Sequence, residues 1–238
     1  MSTGLNAKRF RALIYIDQTP MIVARQFRLE KSMPKGPVPD VVIQRLPIYL
    51  RVLTYRASAG ENVISSARLG ELAGVSAAQV RKDLSYFGEF GKQGLGYEID
   101  YLREQLAQIL QVGRDWHAAL VGAGALGHAI VHYRMFEEWN EHVVLVFDND
   151  PAKTGQRIGP LVVYPIEEMA RRIQQEHVEI GILAVPAENA QEVAEALVAC
   201  GVQAILNYAP MTLSLPLDIR VAYIDPVASL QSMIYYLR

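Results

Sequence analysis

The chain has 238 residues, 51% of them hydrophobic and 20% charged, which excludes a disordered polymer and leaves room for one large or two small domains. Its single cysteine, Cys200, excludes an internal disulfide framework and a cysteine-rich zinc site, and no apolar run reaches the roughly 18 residues of a membrane span. The net charge of −2 conceals an asymmetry: 14 Lys and Arg against 8 Asp and Glu up to Glu98, then 9 against 17, so a +6 half precedes a −8 half. That is the balance of a nucleic-acid-binding part joined to an acidic one, although residues 1–34 alone carry +4 of it.

Residues 1–37 show no sustained period and run into MPKGPVPD at 33–40, whose prolines break helix and strand alike; a poorly ordered extension is expected there, with no targeting signal, consistent with a cytoplasmic protein. From Asp40, the residues Val42, Leu46, Tyr49, Leu50 and Leu53 recur at helical spacing, with Pro47 expected to kink the helix before the turn residues 58–62. A second helix is capped by Ser65 or Ser66, points Leu69, Leu72 and Ala73 inward, and stops at Gly74. Ser76 and Gln79 form a capping box for a third helix, with Val80, Leu84 and Phe87 inside and Gln79, Arg81, Lys82, Ser85 and Tyr86 outside. EFGKQGLGYEI then reads as a tight hairpin, and Asp100 as the cap of a helix through Leu102, Leu106, Ile109 and Leu110. Three helices and a hairpin make a winged helix-turn-helix over residues 38–113. In it, residues 76–87 are expected to form the recognition helix, Arg81 and Lys82 to reach phosphates or guanine edges, and Lys92 to stand at the tip of the wing.

After the break at 113–115 the pattern changes to wholly apolar strands at 118–122, 143–148, 179–185, 202–208 and 220–224, alternating with helices. Such strands are covered on both faces, which predicts a Rossmann domain, a doubly wound parallel sheet, over residues 114–226. Gly122-Ala123-Gly124-Ala125-Leu126-Gly127 matches G-x-G-x-x-G between a strand and a helix, and Asp148 ends the next strand at the expected spacing of about 20 residues. Gly122 is expected to permit the turn, Gly124 to let backbone approach a pyrophosphate seated on helix N–H groups, and Gly127 to let helix pack on strand. Asp148 would accept ribose hydroxyls and repel a 2′-phosphate, favouring NAD(H). Ala184-Val185-Pro186 and Asn207-Tyr208 end later strands and are expected to face the same crevice.

The histidines at 117, 128, 132, 142 and 177 all stand outside the late strand-end loops, where a dehydrogenase would place its base, so no catalytic residue is assigned. His128 and His132 are four apart but have no evident third ligand, and no metal is expected.

The runs VSAAQVRKDLSYFGEFGKQGLGY, LVGAGALG, FDNDPAKTG, ILAVP and ILNYAP, taken in order from about Val38 to the C-terminus, resemble the redox-sensing repressor family Rex. The resemblance implies a homodimer that binds an inverted-repeat operator when NAD+ prevails and releases it when NADH binds. It also implies that a C-terminal helix, here 227–238 with an apolar stripe of Leu230, Ile234 and Leu237, is exchanged between subunits. By matching motif, Arg51, Tyr133 and Asp225 resemble the family's switch residues, Asp225 pairing with Arg51 in the DNA-binding state or turning towards Tyr133. Gln93 replaces a wing arginine common in the family, which puts one minor-groove contact in doubt. The readings that compete with a repressor are an NAD-dependent oxidoreductase, which shares the fold, and a CoA-binding module, which leaves the winged helix unexplained.

Overall fold

In the computed structural model, which describes residues 37–92, 94–133 and 139–237, the first helix (α1, Asp40–Ser58) buries Val42, Leu46, Tyr49, Leu50 and Leu53, the stripe its sequence predicts. Each such side chain contributes about 1.5–3 kcal/mol by leaving water. The helix runs uninterrupted through Pro47. The expected extension up to residue 36, and Gln93, lie outside the described residues. The chain divides between Val112 and Gly113 into two compact units.

The first unit continues with β1 (Val63–Ile64), α2 (Ser66–Ala73), α3 (Ala77–Ser85), β2 (Gly91–Lys92), β3 (Gly96–Glu98) and α4 (Ile99–Ile109). Its antiparallel sheet has the order β1-β3-β2, with Gly91 opposite Tyr97 and Lys92 opposite Gly96. Two serines start the helices as the sequence predicts: Ser65 Oγ accepts from Arg68 N–H and Ser76 Oγ from Gln79 N–H, each at 3.1 Å.

Four details differ from the sequence reading. The Gln79 amide, expected to return a bond to the cap, donates instead to the Asp83 carboxylate at 2.7 Å, a charged acceptor one turn on. Asp100 is not the cap of α4; Glu98 holds that position without a side-chain bond, and Asp100 pairs with Arg103 inside the first turn. In α2 the buried face is Leu69 and Gly70, while Leu72 and Ala73 are only half-buried. Strand β1 was not anticipated, because two residues are too few to show a period.

The second unit carries β4 (Trp116–Val121), α5 (Ala125–Val131), β5 (Glu141–Asp148), β6 (Arg157–Ile158), β7 (Leu161–Pro165), α6 (Met169–Gln175), β8 (Ile180–Leu183), α7 (Ala187–Ala199), β9 (Ala204–Asn207), β10 (Arg220–Tyr223) and α8 (Pro226–Ile234). The sheet order is β10-β9-β8-β4-β5-β7-β6, parallel throughout except for the β6–β7 hairpin. Without β6 this is the 3-2-1-4-5-6 order of a dinucleotide-binding sheet, whose direction of winding reverses between β4 and β8. Alternate residues of the central strand serve two cores. Ala119 and Val121 join Leu145, Phe147, Leu183 and Leu197 on one face, and Ala118 and Leu120 join Ile130, Val146, Val163 and Ile182 on the other. Strands β6 and β7 escaped the sequence reading; β7 is the third strand of the sheet's first half and completes the wall beside Asp148.

Candidate nucleotide-binding and DNA-binding sites

A cleft of about 490 Å³ opens at the carboxyl ends of β4, β5 and β8, where the winding reverses. Of the residues expected there, Gly122, Gly124, Ala125, Leu126, Asp148, Ala184, Val185 and Pro186 line it. Gly122 has φ +109°, and a Cβ on it would strike the Ala184 carbonyl oxygen. A Cβ on Gly127 would strike the Gly122 carbonyl oxygen, so α5 sits tight on the turn. A Cβ on Gly124 would meet no atom within 4 Å. Gly124 is extended, at φ −87° and ψ −169°, so the missing side chain leaves room for a ligand and not for a strained backbone.

Asp148 is 5% exposed. Its Oδ2 accepts from Ala123 N–H at 2.7 Å and Lys153 Nζ at 2.9 Å, and its Oδ1 from Asp150 N–H at 2.9 Å. Burial raises its pKa, but the Asp150 N–H, the Lys153 ammonium and the Ala123 N–H outweigh burial, and the carboxyl stays below the usual carboxylate range. Asp148 therefore ties the glycine turn to the end of β5 as well as bordering the cleft.

Ala123, Gly127, Asn207 and Tyr208 are not among the lining residues. Ala123 is buried in the core beneath the turn. Asn207 closes its own loop: Nδ2 donates to the Met211 carbonyl at 3.0 Å and Oδ1 accepts from Ala209 N–H at 2.9 Å. Tyr208 packs against the core that holds Ala184, and burial, with neighbouring Tyr133 adding to it, pushes its phenol up. Asn149, Lys153, Ile166, Asn189 and Val193 also line the cleft. They lie on the loop after β5, the turn after β7 and the helix α7, places that the glycine motif says nothing about. Among the described residues no cluster of His, Cys, Asp and Glu could hold a metal, and no helix is long and apolar enough to cross a membrane.

On the first unit, α3 exposes Arg81, Lys82 and Ser85, with Gln79 and Tyr86 half-buried, while Ser76 caps it and Val80, Leu84 and Phe87 are buried. Arg81 Nη1 donates to Ser66 Oγ at 3.0 Å. Lys92 lies in strand β2 of the hairpin and so precedes the tip. Of the three residues expected to act as a switch, Arg51 is exposed on α1 and Tyr133 follows α5 and is exposed. Asp225 caps α8, its Oδ1 accepting from Ala228 N–H at 2.9 Å. No residue of α8 is buried: Val227, Leu230, Met233 and Ile234 are each more than half exposed. Leu237, expected in the same helix, lies in the 3₁₀ turn that follows (Tyr235–Leu237).

Residues 37–85 match a family described as "Putative DNA-binding protein N-terminus" and residues 113–211 one described as "CoA binding domain". The "Redox-sensing transcriptional repressor Rex" of Chloroflexus aurantiacus is 52% identical over 84% of this chain and 94% of its own length. The chain belongs to the Rex family of redox-sensing transcriptional repressors. The Rex of Brevibacillus brevis is 40% identical over 84% of this chain and 97% of its own. The solved Rex-family structures agree in fold: RSP in complex with beta-NAD+ and operator DNA is 37% identical, with TM-score 0.80 over 85% of this chain and 94% of its own. RSP in complex with beta-NADH has TM-score 0.77 at 35% identity, over 85% of this chain and 95% of its own. These Rex relatives are named as repressors and not as enzymes.

One residue of helix α3 is missing from the sequence reading. Beside the exposed Arg81 and Lys82, Asp83, to which the sequence reading assigns no place, is 0% exposed and bonded to Arg45, Tyr49 and Gln79. The signal lay in the helical period, since position 83 falls one turn from Gln79 and beside the buried Val80 and Leu84.

Proposed function

We propose that this chain is a cytoplasmic redox-sensing repressor that holds an inverted-repeat operator as a homodimer and releases it when NADH enters the cleft beside Gly124. The observation that carries this reading is one chain joining an open-floored glycine cleft, bordered by a buried carboxylate, to a capped helix exposing Arg81 and Lys82. RSP, solved with NAD+ and operator DNA and again with NADH, supports the same pairing of ligands.

The residues fit a dinucleotide. The space over Gly124 admits a pyrophosphate against first-turn N–H groups of α5, which by construction have no partner within the helix. Asp148, held ionised by its three donors, keeps one acceptor position, on Oδ1, for a ribose hydroxyl and sets a negative charge against a 2′-phosphate. A bound nicotinamide supplies the redox signal itself, because its oxidised ring is cationic and its reduced ring neutral. A dehydrogenase role is disfavoured because, among the described residues, the titratable groups lining the cleft, Asp148 and Lys153, are paired with each other at 2.9 Å.

On the DNA side, Arg81 and Lys82 meet phosphates or guanine edges, with Ser76, Gln79, Ser85, Tyr86, Lys92 and Gln93 completing the surface. Two such helices related by a dyad match the two half-sites. The exposed apolar helix α8 is covered by exchange with the partner, and Asp225 trades its cap for Arg51 or Tyr133 as the state changes. Moving DNA occupancy from mostly on to mostly off requires about 5 kcal/mol of differential affinity. A mobility-shift titration on a two-fold-symmetric operator tests the reading: the shifted band is lost with NADH and kept with NAD+, and a band that survives both overturns it.

A further inference from the structure

The carboxylate of Asp83 is the most heavily bonded group on the recognition helix. Arg45 donates Nε–H to Oδ2 at 2.6 Å and Nη2–H to Oδ1 at 2.8 Å. The Tyr49 hydroxyl donates to Oδ2 and the Gln79 amide to Oδ1, each at 2.7 Å. Both oxygens thus take two donors, which is their capacity. Arg45 and Tyr49 come from α1, whereas α3 packs mainly on α2, so these long side chains are a separate tie between α1 and α3.

Stability alone is a poor reason for such an arrangement, because replacing a buried ion pair by apolar groups of similar volume is often neutral or stabilising. Direction is a better one. Val80 and Leu84 anchor α3 through non-directional apolar contact, which tolerates a roll of the helix about its axis. A two-point guanidinium–carboxylate contact does not. On a helix radius of about 6 Å, a roll of about 20° carries side-chain tips some 2 Å, against a tolerance of about 0.5 Å for a recognition group. Asp83 directly follows Arg81 and Lys82 and grips Gln79, so the residue that fixes the roll belongs to the surface whose aim it fixes.

We infer that Asp83, clamped by Arg45 and Tyr49, is a positioning residue that sets the roll of α3 so that Gln79, Arg81 and Lys82 engage the operator in one register. The inference rests on the DNA-binding reading above, and unsubstituted protein serves as its control. If that protein fails to prefer operator over non-operator DNA of equal length, the functional reading falls, and not merely the clamp.

The test replaces the pair as a whole, Arg45→Met with Asp83→Leu, which removes the clamp without leaving a buried charge unpaired. NADH affinity, non-operator affinity and its salt slope are expected to stay at their starting values and the melting temperature to fall by several degrees, because the buried Tyr49 hydroxyl loses its acceptor, while the preference for operator falls about ten-fold or more, the scale of one misread base pair. Tyr49→Phe removes one donor and keeps the ring; it is expected to lower the preference about two- to three-fold, the scale of one hydrogen bond. If the paired variant does not fold, the Tyr49→Phe ratio decides. An operator preference unchanged in the folded variants, or operator and non-operator binding lost in equal measure, overturns the inference.

Discussion

Replacing Gly124 by alanine separates a glycine kept for a ligand from one kept for the fold. At φ −87° and ψ −169° the backbone suits any residue, and the added methyl would meet no protein atom within 4 Å. The cost to the unliganded protein is confined to Gly124 being the N-cap of α5, where alanine is poorer than glycine by about 1 kcal/mol or less, a loss of roughly 4 °C in melting temperature. The same methyl projects into the cleft where backbone must approach a pyrophosphate. Crowding of this kind costs about 1–3 kcal/mol, so NADH affinity should fall roughly 5- to 150-fold. Calorimetric titration with NADH, with CoA as a comparison ligand, and a thermal melt of each protein read the two effects separately. Unchanged NADH affinity would refute the placement of the ligand, and a melt lowered by about 10 °C or more would refute the claim that the space is empty.

Gly122→Ala should do the opposite: positive φ costs about 1–2 kcal/mol and the collision with the Ala184 carbonyl more, so a loss of about 3 kcal/mol is expected in denaturant unfolding of the second unit. The Asp83 carboxyl, though pushed up by burial, is held below the usual range by Arg45, Tyr49 and Gln79, so its stabilisation is present above the unfolded value near 3.9 and fades as pH falls through the folded value. Melts between pH 6 and pH 2 should accordingly show an acid-side loss that shrinks in the Arg45→Met/Asp83→Leu variant; an identical acid limb would contradict it. Deleting residues 226–238 removes the exposed apolar helix, and light scattering should then report a monomer whose operator affinity is lower by about 100-fold or more, as two linked contacts become one. A truncated protein that stays dimeric would assign the interface elsewhere.

Much of this was legible in the sequence because the signals were periodic or covalent in origin. The α1 stripe emerged whole, residue for residue, since each member is buried by the same 3.6-residue repeat. The glycine turn was legible because only a residue without Cβ fits at φ +109° against the Ala184 carbonyl. Asn207, by contrast, stood at the right strand end for a ligand, and only the fold reveals that both ends of its amide close its own loop. Asp83 was hidden by its neighbours, because a carboxylate after Arg and Lys looks solvated until Arg45, 38 positions earlier, is placed against it. Strand β7 went unseen because its register depends on pairing with β5, and Lys153 because it reaches the cleft through the turn that precedes β6.

The central claim is a coupling between the cleft and the recognition helix, and linkage makes it measurable from both sides. Operator affinity should be determined at fixed salt with the cleft saturated by NADH and then by NAD+, and NADH affinity with and without operator. The account predicts that NADH weakens operator binding by a factor on the order of 10³ to 10⁴, and that operator weakens NADH binding by the same factor. Equal operator affinity with either nucleotide would contradict it.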